Sequence, residues 1–245
     1  LLKTFFTLSY VLLAAFVGAF ADSMPKWRVM FISNAIKIAG CSMMFFGAHP
    51  LVAYAVVGLG AAAYSPAKYG ILTEYLPHRL LVVANGWIEG LTVGAIILGV
   101  VIGGTLIRPD ISQTLLAFDF PLIDTGVDTI GEMALSIIGV FYIIASLFNL
   151  YVPDTGVDHK QLKSNPFYLI HEFNHCLSLL WRDKLGQISL AVTTLFWGAG
   201  ATLQFIVIKW SEVALNLDLS KASMLQGVVA VGVAMGAVAA AKFIT

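Results

Sequence analysis

The chain has 245 residues, of which 59% are hydrophobic and 11% are charged. Soluble domains carry about 25% charged residues, so this composition excludes an ordinary soluble protein and predicts an integral membrane protein. The 14 basic and 14 acidic residues give a net charge of zero, which provides no basic surface for nucleic acid. Cys41 lies in an apolar run and Cys176 in a hydrophilic connector, so reduced thiols are expected rather than a disulfide.

Seven apolar runs are long enough, or nearly long enough, to cross a membrane, which takes about 20 helical residues. They cover residues 1–21, 28–48, 51–65, 84–107, 132–152, 188–209 and 223–242. Each is predicted to be a helix, because an open sheet would leave unpaired backbone groups in lipid. The third run is short for a crossing unless it continues through Pro66 toward Leu76 as a kinked helix, which is the interpretation we favour. The predicted fold class is therefore all-α, a polytopic membrane helix bundle.

Positive charges are unevenly divided between the two sides of the predicted bundle. If the connector after the first run is cytoplasmic, nine Lys and Arg residues fall on that side and four on the other, while Lys37 stays inside a span. The amino terminus then lies outside, and the chain begins inside one apolar run and ends directly after another. We expect it to be a fragment of a larger transporter, with at least one further helix before it.

A hydrophilic connector over residues 153–187 divides the predicted helices into five and two. The expected organisation is a helical region 1–152, the cytoplasmic connector, and the beginning of a second helical region at 188–245. Apolar residues of the connector follow one helical stripe, formed by Ile170, Phe173, Leu177 and Leu180. The stripe predicts an amphipathic helix on the inner surface of the membrane.

The turn between the first two runs places a carboxylate before two cations. Asp22 could interact with the amino terminus of a facing helix or with a neighbouring Arg and form a charge latch that two conformations make or break, although a solvated hairpin explains the same residues. The segment resembles the signature of the major facilitator superfamily, in which Gly, three residues and Asp are followed by basic residues. Ser23 and Pro25 depart from that signature, which is expected to weaken the latch. The residues that match are Gly18, Asp22, Lys26 and Arg28.

Small residues mark two segments where helices could pack closely. Residues 58–72 combine such residues with Pro66 and with Lys68, a cation expected near the inner face of the membrane. The fourth run contains glycines that permit the same close approach, and it is similar to the glycine motif of the superfamily's antiporters without its proline, although packing alone also explains it. These glycines are Gly94, Gly99, Gly103 and Gly104.

Together with residues 84–89 and 195–203, the segment 58–72 resembles the lysophospholipid transporters of bacterial inner membranes, a family within the major facilitator superfamily. The resemblance runs over most of the chain and implies a bundle of twelve helices, of which about seven, the second to the eighth, are present. It implies alternating-access movement of a lysophosphatidylethanolamine-like lipid into the inner leaflet, where an acyltransferase rebuilds the diacyl lipid. No cofactor and no enzymatic activity are expected.

Ionisable residues inside the predicted spans indicate where such a lipid would bind. Lys37 lies roughly 13 Å into the second run and Glu89 several residues into the fourth, where charge is costly and usually faces protein or a water-filled cavity. A zwitterionic headgroup offers a phosphate to the lysine and an amine to the carboxylate, although the two residues could instead neutralise each other. Gln204 stands where the family carries Arg, which puts any contact assigned to that cation in doubt. The predicted substrate-binding residues are Lys37, Lys68 and Glu89 for a headgroup track, Trp197 and Phe205 for the acyl chain, and Gln204.

Three other classes of function stay open on the sequence. A transporter of small solutes from the same superfamily would have the same helices. Residues 171–175 read His-Glu-x-x-His, in which His171 and His175 could bind zinc while Glu172 activates water, as in metalloproteases. The polar face of an amphipathic helix explains this motif as well, and no convincing third ligand accompanies it, so no metal site is predicted. The buried charges argue against the third class, a structural subunit.

Overall fold

The computed structural model describes residues 2–117, 127–160 and 165–218, together with parts of 221–236. Within these residues the chain forms helices and no strand, which confirms the all-α prediction. The helices are α1 (Leu2–Asp22), α2 (Lys26–Phe45), α3 (Pro50–Tyr75), α4 (His78–Leu106), α5 (Pro109–Leu116), α6 (Ile130–Asn149), α7 (Pro166–Arg182) and α8 (Lys184–Leu215).

Five helices in the described part of the chain are long and apolar enough to cross a membrane, namely α1, α3, α4, α6 and α8. α2 coincides with the second predicted run, but it is not among the five, and its 20 residues include the cations Lys26, Arg28 and Lys37. The second run is thus a helix of the expected length but a more polar one than predicted. The seventh predicted run, 223–242, lies largely outside the described residues.

α3 continues through Pro66 over its whole length of 26 residues, which confirms the longer interpretation of the third run. It begins at Pro50, because a proline is tolerated in the first turn, where its missing N–H would have no partner in the helix. His49 caps this end, and its Nδ1 accepts a hydrogen bond from the Leu51 N–H at 3.3 Å. The helix ends before Leu76, which precedes a proline and has the extended conformation that such residues favour.

The first compact unit comprises residues 1–81 and 131–178, and in it α3 packs closely against both α1 and α2. Gly58 faces α1, where an added Cβ would lie 2.7 Å from the carbonyl oxygen of Phe6. Gly60 faces α2, where a Cβ would lie 2.6 Å from the carbonyl oxygen of Ser33, and Gly40 of α2 meets the backbone of α3 in the same way. The small residues therefore allow backbone-to-backbone contact, as predicted for residues 58–72.

The second compact unit comprises residues 82–130 and 179–245 and contains most of α4 and α8. In the described part of the chain, an added Cβ at Gly94, Gly99 or Gly103 would meet no atom within 4 Å, whereas Gly104 is buried. Their role in helix packing stays a prediction. α8 extends the predicted run 188–209 at both ends to 32 residues, and it begins where the Asp183 carboxylate accepts a hydrogen bond from the Gly186 N–H at 2.7 Å.

α7 lies where the amphipathic stripe of the connector predicted a helix. None of its residues is buried, and the four apolar residues of the stripe keep about 37–44% of their surface exposed. The existence of the helix is confirmed, while its location on the inner membrane surface stays a prediction. The predicted division of the chain at residues 153 and 187 likewise stays a prediction.

Candidate functional site

A buried cation joins the ends of three helices in the first unit. Lys26 is the first residue of α2, and its Nζ lies 2.8 Å from Asp22 Oδ1 at the end of α1 and 3.1 Å from Glu74 Oε1 near the end of α3. It also donates a hydrogen bond to the Ala21 carbonyl oxygen at 2.8 Å. The Lys26 side chain is only 4% exposed, so these partners replace the water that its charge would otherwise need.

Of the residues predicted to form a latch, Asp22 and Lys26 make an ion pair. Arg28 instead lies 5.1 Å from the ring of its neighbour Trp27, and a Cβ at Gly18 would meet nothing within 4 Å in the described residues. Burial by itself lowers the pKa of Lys26, which precedes the predicted span, but the hydrogen bonds to the two carboxylates outweigh it, so that the pKa is raised and the ammonium stays charged. The role of these residues as a conformational latch stays a prediction.

Glu74 is the functional candidate that the sequence analysis missed. It belongs to the same predicted cytoplasmic face as Lys26, which was the available signal, but it lies 48 positions away along the chain, and only packing of α3 against α2 brings the two together. Its other oxygen, Oε2, accepts a hydrogen bond from Thr155 Oγ1 at 2.9 Å. We call Asp22, Lys26, Glu74 and Thr155 the Lys26 cluster.

The start of the predicted connector is attached to this cluster at two points. Thr155 donates to Glu74, and the Lys160 backbone N–H donates to the carbonyl oxygen of Asp22 at 3.1 Å. A segment that follows α6 is thereby held against the ends of α1 and α3. A change in the ion pairs of the Lys26 cluster would therefore also change the two hydrogen bonds that hold the beginning of the connector.

Lys37 is buried in the first unit, with 9% of its surface exposed. Its Nζ donates a hydrogen bond to Asn34 Oδ1 at 3.1 Å, one turn earlier on α2. The same atom lies 4.2 Å from the ring centroid of Tyr64 on α3 and 5.3 Å from that of Tyr142 on α6, distances at which a ring face attracts a cation. Within this unit Lys37 is held by neutral partners and by no carboxylate.

Lys68 and Glu89, the other two residues of the predicted headgroup track, have different surroundings. Lys68 is half-buried, and its Nζ lies 4.6 Å from the ring of Tyr69. Glu89 is half-buried on α4 in the second unit. Its predicted role beside Lys37, and the alternative that the two neutralise each other, stay predictions.

The predicted acyl-chain residues lie on α8. Trp197 is 48% exposed and Phe205 55% exposed, and Gln204 is half-buried. Trp197 and Gln204 are seven positions apart, close to two helical turns, so they share one face of the helix. A shallow apolar groove follows the opposite face, and its lining includes Leu195, Ala199 and Ile206. The groove is lined by aliphatic residues together with Thr194 and Thr202.

The His-Glu-x-x-His segment lies on α7, and the side chains of His171, Glu172 and His175 are all exposed. No group of three His, Cys, Asp or Glu residues that could hold a metal ion occurs in the part of the chain that the structure describes. The arrangement of the motif is that of a solvated helix face.

Comparison with known proteins gives one consistent result. The family profile of the Major Facilitator Superfamily matches residues 1–245. A protein of Serratia proteamaculans named "Lysophospholipid transporter LplT" is 40% identical to the chain, and the protein of the same name from Yersinia enterocolitica is 41% identical. Both comparisons cover 100% of this chain, which spans 57% and 56% of the two relatives' lengths. No solved structure matches the chain.

Proposed function

Since the chain belongs to the major facilitator superfamily, we propose that the full-length protein transports lysophospholipid into the inner leaflet of the bacterial inner membrane by alternating access. The observation that carries this proposal is the 40–41% identity, over the whole of this chain, to proteins named as lysophospholipid transporters. Because the chain spans little more than half of those relatives, the proposal concerns the complete protein. The zinc protease and the structural subunit gain no support from these names.

In the proposed mechanism the headgroup meets charge inside the bundle. Lys37 is buried, has no carboxylate partner among the described residues, and is suited to an anionic phosphate. Lys68 lies one helical turn after Tyr64, whose ring contacts Lys37, and would continue a cationic path. Glu89 would take the headgroup amine. On α8, the exposed rings of Trp197 and Phe205 would pack against the acyl chain.

The Lys26 cluster is proposed to bias the conformational change. It ties the ends of α1, α2 and α3 to the beginning of the connector through hydrogen bonds of 2.8–3.1 Å. Ion pairs at helix ends are suited to stabilise one of two discrete arrangements, because repacking breaks them as a set. A functional link to an acyltransferase that consumes the delivered lysolipid is a further part of this proposal.

A transfer assay on the full-length protein tests the function. Inner-membrane vesicles or proteoliposomes receive labelled lysophosphatidylethanolamine in one leaflet, and its appearance in the other is compared with uptake of sugars and drugs. We expect lysolipid movement that depends on Lys37 and Glu89, measured with Lys37→Met and Glu89→Gln. Movement of a soluble solute instead of lysolipid would refute lysophospholipid transport and favour a general solute transporter of the superfamily. Full activity of both variants would refute the proposed headgroup track.

A further inference from the structure

We propose that α2 and α6 form a phosphate-binding site, with Lys37 as its cation and Asn34 and Ser146 as hydrogen-bond donors. The proposal rests on the proposed function, because the phosphate is that of the lysophospholipid headgroup. It goes beyond the headgroup track by adding two neutral residues, Asn34 and Ser146, as hydrogen-bond donors to the phosphate.

The cation is held in position but not neutralised. Lys37 Nζ is fixed by Asn34 Oδ1 at 3.1 Å and by the ring faces of Tyr64 at 4.2 Å and Tyr142 at 5.3 Å. Neutral oxygens and rings orient an ammonium group without cancelling its charge. Lys68 lies one helical turn after Tyr64 on α3 and adds a second positive charge on the same face of that helix.

Asn34 supplies the first additional donor. Its side chain is 2% exposed, and Nδ2 has no hydrogen-bond partner among the described residues. Oδ1 and Nδ2 share one amide carbon, and Oδ1 contacts Lys37 Nζ, so Nδ2 lies beside the same ammonium. Buried amide N–H groups are rarely left unpaired, and this one borders an uncompensated cation.

We assign the second donor to Ser146, because it lies one helical turn after Tyr142, the residue of α6 whose ring contacts Lys37. Tyr142 contacts Lys37, while Val152, ten positions later, packs against a cluster containing Val29, eight positions before Lys37. The two helices therefore run antiparallel. Ser146, one turn after Tyr142 on the same face, comes level with Asn34, one turn before Lys37. Its side chain is 6% exposed and its Oγ is likewise unpaired in the described residues.

The chemistry of these groups selects the ligand. An ammonium, an amide N–H and a hydroxyl can together donate to one group that carries several acceptor oxygens and negative charge, which describes a phosphate. A headgroup amine would be repelled by Lys37 and would leave Nδ2 of Asn34 unpaired. The site therefore distinguishes lysophospholipids from lipids of the same chain length that lack phosphate.

The test uses the purified full-length protein and compares lysophosphatidylethanolamine with monoacylglycerol, which lacks phosphate. Asn34→Asp places a carboxylate next to Lys37 with almost no change of shape, so that Lys37 is neutralised from within. We expect binding of lysophosphatidylethanolamine to weaken about tenfold or more, with monoacylglycerol binding unchanged. Asn165→Asp, the same change at an exposed residue before α7, is the control and should alter neither.

A second measurement covers the case in which Asn34→Asp does not fold. Inorganic phosphate and lysophosphatidylethanolamine should each protect Lys37 of the unmodified protein from an amine-reactive reagent, and Ser146→Ala should weaken that protection. Lack of protection, or equal lipid binding by Asn34→Asp and Asn165→Asp, would overturn the site while leaving transport intact. Protection by inorganic phosphate in a protein that moves no lysolipid would instead support the site and refute the proposed function.

Discussion

The contact between α2 and α3 at Gly60 makes a quantitative prediction for the full-length protein. A Cβ at this position would lie 2.6 Å from the Ser33 carbonyl oxygen and 2.8 Å from Lys37 Cγ. Ordinary contacts begin at 3.4 Å, so Gly60→Ala requires the two helices to separate locally by the difference of 0.8 Å. The closer atom belongs to the backbone, and a helix backbone cannot move aside as a side chain can.

The magnitude follows from two opposing effects. Overpacking of this kind costs about 1–3 kcal/mol, while alanine is favoured over glycine in a helix by about 1 kcal/mol. Gly60→Ala is therefore expected to destabilise the protein by about 0–2 kcal/mol. Gly94→Ala is the matched control, because it carries the same helix-propensity gain and its Cβ meets no atom within 4 Å in the described residues. The difference between the variants isolates the contact and should be about 1–3 kcal/mol.

Equilibrium unfolding in mixed micelles, with SDS as denaturant and tryptophan fluorescence as the signal, measures that difference. Each variant is compared with the unmodified full-length protein, and the two changes in free energy of unfolding are then subtracted. Equal stability of Gly60→Ala and Gly94→Ala would refute the reasoning, because it would mean that α2 and α3 do not meet backbone to backbone at Gly60.

Three further predictions concern charge and metal binding. Glu74→Gln leaves the Lys26 cluster with one carboxylate and should lower the free energy of unfolding by about 0.5–2 kcal/mol. The control is Glu212→Gln, which removes one partner of an ion pair whose side chains are 62% and 72% exposed and should lower the free energy of unfolding by less than about 0.5 kcal/mol. Equal losses in the two variants would contradict the importance of burial for the Lys26 cluster. Lys68→Gln should lower lysophospholipid transport severalfold with membrane orientation unchanged, checked by labelling of introduced cysteines, and full activity would leave Lys68 as a topology determinant only. Replacing His171 and His175 by Ala should change neither transport nor the metal content of the purified protein, and loss of stoichiometric zinc in that variant would support a metal site.

The Lys26 cluster shows which contacts can be predicted from residues that are near one another in the chain and which cannot. The sequence indicated a charge contact of Asp22 in this short turn, but it did not identify Lys26, four positions later, as the partner. Arg28 fits the same superfamily signature equally well, but its guanidinium lies over Trp27 instead. Glu74 and Thr155 could not be assigned to the cluster from spacing, because they are separated from Lys26 and from each other by whole helices.

The glycine-rich segments likewise show the difference between what a local sequence pattern predicts and what the packing of helices decides. Residues 58–72 and the glycines of α4 have equivalent patterns of small residues, and both predicted close helix contacts. Gly58 and Gly60 make such contacts, whereas Gly94 and Gly99 face open space in the described part of the chain. Composition indicates that close approach is possible, but which helix lies opposite depends on the arrangement of the bundle.

The sequence by itself determined that this protein is built from membrane helices and that α3 continues through Pro66, because helix length and hydropathy depend on residues near one another in the chain. Only the tertiary structure decided that Lys37 is held by Asn34, Tyr64 and Tyr142, with the unpaired hydroxyl of Ser146 one turn along α6. These groups come from three helices, and the long-range packing that brings them together leaves no periodic signal in the sequence.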